Sequence, residues 1–163
     1  MDNPYPQVRL SNERRQELSS NAPLEDKIFE AIRDIRDPEH PYSLEQLSVV
    51  DPHSIVVVHG SKGNRLKGLV KIEFTPTVPH CSLASLIGLC ILARIRDENL
   101  LPLGYKLDIK VCDNTHESDE EITKQLRDKE RVFAALENSK LRQLIDDCLS
   151  TCKPLHKDDD VVS

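Results

Sequence analysis

Two periodicities run through the chain, and their order outlines a fold. Leu24, Ile28, Ala31, Ile32 and Ile35 recur at spacings of three and four, which predicts a helix with one apolar face. Asn21-Ala22-Pro23 supplies its start, with proline in the first turn. Asp37-Pro38 ends it, because the residue before a proline is pushed out of the α region. Ser43-Leu44-Glu45-Gln46 has the form of a capping box and predicts a short helical turn. The β-branched run Ile55 to Val58 predicts a strand. Val70, Ile72 and Phe74 alternate with Lys71 and Glu73, as in a strand with one wet face. Between them Gly60-Ser61-Lys62-Gly63-Asn64-Arg65 forms a polar hairpin loop. From Leu83 to about Ile95 the chain is apolar nearly all round, which predicts a central buried helix. Arg94, Arg96, Asp97 and Glu98 mark its exit, and Leu101-Pro102 the turn beyond.

Tyr105, Leu107, Ile109 and Val111 alternate with Lys106, Asp108 and Lys110 as a third strand. Cys112 follows on the polar parity or in the next loop. Ser118-Asp119-Glu120-Glu121 is a second capping box. It opens a charged helix with Ile122 and Leu126 inward, continuing through Asp128-Lys129-Glu130-Arg131 to Val132, Ala135 and Leu136. Leu141, Leu144, Ile145, Cys148 and Leu149 make a last amphipathic face. The order predicts one α/β (α+β) domain over residues 21–152. It has a three- to four-stranded mixed sheet, a central helix packed on it and C-terminal helices. Residues 1–20 show no period and read as a flexible lead. Residues 153–163, with Lys157-Asp158-Asp159-Asp160, read as a disordered acidic tail. Few, short strands leave edges unpaired, which invites strand addition or a domain-swapped homodimer hinged at Gly60–Gly68 or Leu100–Gly104.

Composition narrows the function. A net charge of −6, with 31% charged residues, argues against a nucleic-acid binder, which needs a basic face. The glycine-containing loop lacks the GxxxxGK[ST] pattern of a phosphate cradle. No apolar run is long enough for direct membrane insertion, and no apolar signal core precedes the domain. The five cysteines, Cys81, Cys90, Cys112, Cys148 and Cys152, include no CxxC pair. They suit reduced thiols of cytosol or nucleus.

The chemistry concentrates in Phe74-Thr75-Pro76-Thr77-Val78-Pro79-His80-Cys81-Ser82. A strand ends, prolines hold the chain extended, and Cys81 stands where the apolar helix begins. A helix N-terminus carries roughly +0.5 charge, and thiols placed there can drop below about 7.5 from about 8.5. His80 adds a positive neighbour, and Thr75, Thr77 and Ser82 add hydroxyl donors. Cys81 is then a reactive thiol, a metal or cluster ligand, or a structural cap. Partners for a metal lie in loops: Asp37, Glu39 and His40 after the first helix, His116 and Glu117 after the third strand. Strand–helix packing would bring these loops to one end of the sheet, with Cys81 and His116 as metal ligands. Zinc needs several such groups at about 2.0–2.3 Å, and no spacing here demands that. Cys90, about 900° and roughly 13.5 Å further along the helix, faces away from Cys81. Cys148 and Cys152 share a helical face if the last helix reaches that far. A cysteine hydrolase would need a base, from His40, His80 or His116, and an oxyanion-stabilising pair. With no GxSxG elbow, paired-cysteine redox motif or dinucleotide fingerprint, the chain reads as no enzyme.

Asp37-Pro38-Glu39-His40-Pro41, the run from Thr75 to Ala84, Leu86-Ile87-Gly88-Leu89-Cys90, Thr115-His116, Lys124-Gln125 and Asp128-Lys129-Glu130-Arg131-Val132 resemble the eukaryotic cytosolic iron–sulfur assembly component 2 family. This is the MIP18-like or Galla family, with SufT- and PaaD-type relatives, and the resemblance covers about residues 24–150. Val78, Leu83, Leu89-Cys90 and Glu120-Glu121-Ile122 are more similar to its A than its B paralogue. The resemblance implies a non-enzymatic adaptor that delivers Fe–S clusters to cytosolic and nuclear apo-proteins, with Cys81 as its reactive cysteine. Its cofactor would be a transient Fe–S cluster, with zinc as the other candidate. It implies a WD40-propeller partner, a HEAT-repeat adaptor, an aconitase-like iron-regulatory client, an XPD-type helicase and a polarity receptor tail. The alternative is an interaction module for such a receptor tail or a chromosome-segregation complex, without cluster chemistry. Ser85 replaces the family's usual threonine, Asn114 its usual glycine, and Arg94 to Glu98 are more charged than the family pattern.

Overall fold

A computed structural model describes residues 8, 21–63, 65–77, 81–112 and 119–153, with Cys81 described through its backbone. The expected flexible lead (apart from Val8), the acidic tail, His80, the 113–118 segment and Asn114 within it lie outside these residues. Helix α1 spans Leu24–Ile32. A single 3-10 turn, Pro52–Ser54, then leads into β1 (Ile55–His59). β2 (Gly68–Phe74), α2 (Cys81–Asp97) and β3 (Tyr105–Val111) form a β–α–β unit. Three helices close the chain: α3 (Asp119–Arg127), α4 (Lys129–Glu137) and α5 (Ser139–Leu149).

The sheet is mixed, in the order β1-β2-β3. β1 runs antiparallel to β2, with Val57 opposite Val70, while β3 runs parallel to β2, with Ile72 beside Ile109 and Phe74 beside Val111. Period-2 alternation then assigns the faces. Ile55, Val70, Ile72, Phe74, Ile109 and Val111 are buried against the helices, whereas Val56 and Val58 stand exposed on the other face. Gly68 matters for a close approach. A Cβ there would lie 2.2 Å from Cε2 of Tyr105, and its absence lets the Tyr105 hydroxyl cross the sheet to Nδ1 of His59 at 2.7 Å. The edges differ. At β3, Thr123 of α3 accepts from the Val111 N–H at 3.2 Å, and Arg127 holds Asp108 through two bonds of 2.8 and 3.0 Å. Among the described residues β1 has a strand neighbour on one side only.

α2 fills the centre: Ala84, Ile87, Cys90, Ile91, Ala93 and Ile95 are all buried. It passes close to α3 because a Cβ on Gly88 would sit 2.5 Å from Cδ1 of Leu126.

Four local expectations change. Pro23 is the residue before α1 rather than part of its first turn. α1 also ends before Ile35, because the returning chain takes its carbonyls. Glu45 N–H donates to Arg33 O at 3.3 Å, Leu44 N–H to Ile35 O at 2.8 Å, and Arg36 bridges Ser43. The Ser43 capping box does form, with reciprocal bonds of 3.0 and 3.2 Å to Gln46. The long charged helix is two helices, broken where Asp128 turns extended and its carboxylate caps α4 through the Glu130 and Arg131 N–H groups. Leu144, expected inward, is exposed on α5.

Arg94 is the largest surprise. Sequence marks it as part of a charged exit, yet it is buried. Its Nε donates to Ala31 O of α1 at 3.0 Å, Nη1 to Glu98 at 2.7 Å and Nη2 to Lys153 O at 2.7 Å. One guanidinium therefore joins α2, the end of α1 and the segment after α5. A lysine ammonium cannot reach all three acceptors in that fork geometry. Arg94→Lys should lower the unfolding free energy in urea by about 1–3 kcal/mol and speed amide exchange at residues 149–153. Unchanged stability would show that Arg94 holds nothing.

Candidate functional site

Two parallel strands that finish side by side create an end of the sheet where loops must diverge. β2 and β3 stop level at Phe74 and Val111, and Cys112 N–H donates to Phe74 O at 2.8 Å. From there the chain leaves through Thr75-Pro76-Thr77 towards α2, and from Cys112 towards residues 113–118. Outside the carboxyl ends of parallel strands is where open α/β sheets place their ligands. Cys81 is the first residue of α2, as its sequence position predicts. The first turn of α2 holds no acidic side chain, and the N-terminal end of this 17-residue helix carries a positive field.

The exit of β2 is braced from the loop that follows α1. Asp37 is buried, and its Oδ1 accepts from the N–H groups of Glu39 at 2.8 Å and His40 at 3.2 Å. Its Oδ2 accepts from the Thr77 hydroxyl at 3.3 Å. Asp37 N–H donates in turn to Tyr42 O at 2.9 Å, and Thr75 N–H to Val49 O at 3.0 Å. Both Asp37 oxygens are thus engaged, and the carboxylate acts as a clamp between the 37–42 loop and the strand exit. His40 is half-buried, and its Nε2 is enclosed without a hydrogen-bond partner among the described residues. Glu39 and Ser82 are exposed. Asp37 therefore joins the backbone of His40 to the Thr77 side chain at the exit of β2. His80, His116 and Glu117 lie outside the described residues. Among the described residues no three of His, Cys, Asp or Glu converge to hold a metal ion.

Cys90 and Cys148 are buried and Cys152 is half-buried. Cys90, which the helical angle turns away from Cys81, packs against α5 and hydrogen-bonds the Cys148 thiol. Both are buried, and the Cys148 contact together with burial pushes Cys90 far up, leaving a neutral thiol. Cys148 and Cys152 do not share a helix face, because α5 ends at Leu149. The chain then turns back, with the Thr151 hydroxyl donating to Asp34 O at 2.8 Å. Burial pushes Cys152 up to about 11. Sequence reading identified both Cys90 and Cys148 as inward residues. That they face each other depends on how α2 crosses α5, which no local pattern carries.

Comparison with known proteins adds to this geometry. Residues 25–97 match a family model described as iron–sulfur cluster assembly protein. Protein AE7-like 1 of Arabidopsis thaliana is 51% identical over 127 residues, covering 78% of this chain and 76% of that protein. MIP18 family protein galla-1 of Drosophila melanogaster is 49% identical over 126 residues, covering 77% of this chain and 56% of galla-1. Cytosolic iron-sulfur assembly component 2B of Mus musculus is 45% identical over 124 residues, covering 76% of this chain and 71% of that protein.

Two outcomes follow from the site. Asp37→Ala leaves two N–H groups and the Thr77 hydroxyl without their acceptor, and should cost about 2–4 kcal/mol in urea unfolding. A cost near zero would mean that the clamp is dispensable. For Cys152, the alkylation rate in the native protein should keep rising with pH towards a midpoint near 11. Because the folded value lies above the ordinary 9.0, its contribution to stability is complete below pH 9 and is lost as pH rises towards 11. A native midpoint at the ordinary value would show Cys152 open to water.

Proposed function

We propose a function from one premise: the chain belongs to the MIP18 family of iron–sulfur cluster assembly proteins. Within that assembly role it is a non-enzymatic adaptor that hands clusters to apo-proteins, and Cys81 is the thiol through which it does so. The single observation that carries this reading is the place of Cys81 at the head of α2. Four backbone N–H groups at a helix start lack intrahelical acceptors, and with the macrodipole they favour a thiolate over a thiol. A thiolate is the form that ligates iron. The Asp37–Thr77 clamp supports the reading by tying the approach to Cys81 to the end of the sheet. The neutral, buried Cys90 supports it by contrast.

The cluster is cargo in this scheme, not a resident group. A cargo thiolate must bind and release, which suits one ligand at a sheet end better than a closed cage of four. His40, whose enclosed Nε2 has no hydrogen-bond partner among the described residues, is the second side chain assigned to the site. The work belongs in the cytoplasm, in keeping with the name of the mouse relative. It is done as one component of a larger assembly, with the propeller and HEAT-repeat proteins as partners and an aconitase-like protein among the clients.

In cells lacking the native protein, Cys81→Ala should abolish maturation of Fe–S clients, read as aconitase-type activity. It should still co-purify with the same partner proteins. In anaerobic reconstitution with iron and sulfide, the wild-type chain should show charge-transfer absorbance that the variant lacks. Client maturation undiminished by Cys81→Ala would overturn the thiol role and leave a pure interaction module.

A further inference from the structure

The opposite end of α2 carries a second surface. Cys81 and Arg96 are separated by fifteen helical residues, or roughly 22 Å along the axis, so this surface is remote from the thiol and independent of its chemistry. There a groove of about 580 Å³ opens between the last turns of α2, the start of β3 and the α3–α4 break. Leu92, Ile95, Leu107 and Leu126 line it, and Phe133 of α4 forms one wall with half its surface in water. Ile95 and Leu126 are buried beneath the floor, so the open apolar surface is that of Phe133 with the half-buried Leu92, Leu101 and Leu107 beside it. An exposed aromatic flanked by aliphatic side chains in a concave groove suits an interaction site.

Charge indicates what covers it. The chain as a whole is acidic, with 28 Asp and Glu against 22 Lys and Arg. The groove reverses that balance: Arg96, Lys106, Arg127 and Lys129 line it, and no acidic residue does. Arg127 is neutralised by its two bonds to Asp108. Arg96 lies over the Phe133 ring, 5.7 Å from its centre. Arg96, Lys106 and Lys129 have no acidic partner among the described residues. A small polar ligand finds no buried polar group on this floor to orient it. An amphipathic helix does fit, since its apolar stripe would fill the floor while acidic flanks meet the three cations.

We propose that this groove docks an acidic amphipathic segment of a partner protein, apolar anchors against Phe133 and Leu107, carboxylates towards Arg96, Lys106 and Lys129. The α3–α4 break gives the groove its shape. Capping by Asp128 sets α4 at an angle to α3, so that Lys129 and Phe133 face α2 across the opening rather than continuing along one helix.

The test uses the full chain and three labelled synthetic probes of roughly sixteen residues, long enough for an induced helix. One carries leucine and phenylalanine at i, i+3, i+4 and i+7 with glutamate elsewhere. The second replaces every glutamate by lysine, and the third scrambles the first. Fluorescence anisotropy should show saturable binding of the acidic amphipathic probe, weakened by salt, and at least about tenfold weaker binding of the other two. Lys106→Glu/Lys129→Glu and, separately, Phe133→Ala should each weaken the acidic probe about tenfold or more. Both variants change exposed residues and should keep the native circular dichroism spectrum. Amide shifts on binding should cluster at Leu101, Leu107, Val132 and Phe133.

Equal binding of the acidic and lysine probes, or no effect of either variant, would overturn the proposal. A concentration-dependent dimer abolished by Phe133→Ala would assign the groove to a second copy. Probe binding that appears only after removal of residues 154–163 would assign it to the chain's own acidic tail.

Discussion

A helix with no polar face cannot lie at a surface, and α2 is such a helix. From Ala84 to Ile95 all its residues are buried except the half-buried Ser85 and Leu92, so the remaining elements are arranged as its cover. The sheet lies on one side, α1 and α5 close others, and α3 approaches where Gly88 leaves room for Leu126. Dispersion and removal of apolar surface from water drive this arrangement, at roughly 25 cal/mol per Å² buried. Arg94 is its polar complement. It satisfies carbonyls that the converging ends of α1 and the segment after α5 would otherwise leave unpaired.

Because most of α2 is enclosed, its two ends are where it chiefly meets the outside, and they differ in chemistry. At the N-terminus the helix field is positive and the first turn carries no acidic side chain, which is the ground on which the thiol role of Cys81 is proposed. At the C-terminus the exit residues meet α4 and β3 around an apolar groove with a cationic rim. The proposed thiol site and the proposed docking groove thus stand at opposite ends of one buried helix. The parallel pairing of β2 with β3 makes the separation unavoidable, because the crossover must begin at one end of the sheet and finish at the other.

Much of this is legible in the chain itself. Alternation at Val70-Ile72-Phe74 and at Tyr105 to Val111 defines two strands, and the apolar run after Cys81 defines the buried helix, because each period matches the geometry of its element. The three strands and the mixed α+β architecture are as the pattern predicts. So is the start of α2 at Cys81. Local pattern fails where a distant segment competes for the same backbone or side chain. α1 stops short because residues 43–45 take its carbonyls. The α3–α4 helix breaks because Asp128 caps rather than continues. Leu144 follows the apolar period yet meets water, for α5 has neighbours on fewer sides than its stripe is wide.

By itself, then, the sequence determined which segments are strands and helices and that Cys81 heads the central helix. Those properties depend on neighbours within a few residues, through sterics, capping and periodic burial. The tertiary structure alone decided that Cys90 meets Cys148, that Asp37 clamps Thr77, and that Arg94 is an interior tie rather than a surface charge. It also gathered Arg96, Lys106 and Lys129 around Phe133. Each of these joins residues 40 or more positions apart, or a set drawn from several elements. Such contacts are set by crossing angles and packing volumes that no local period encodes.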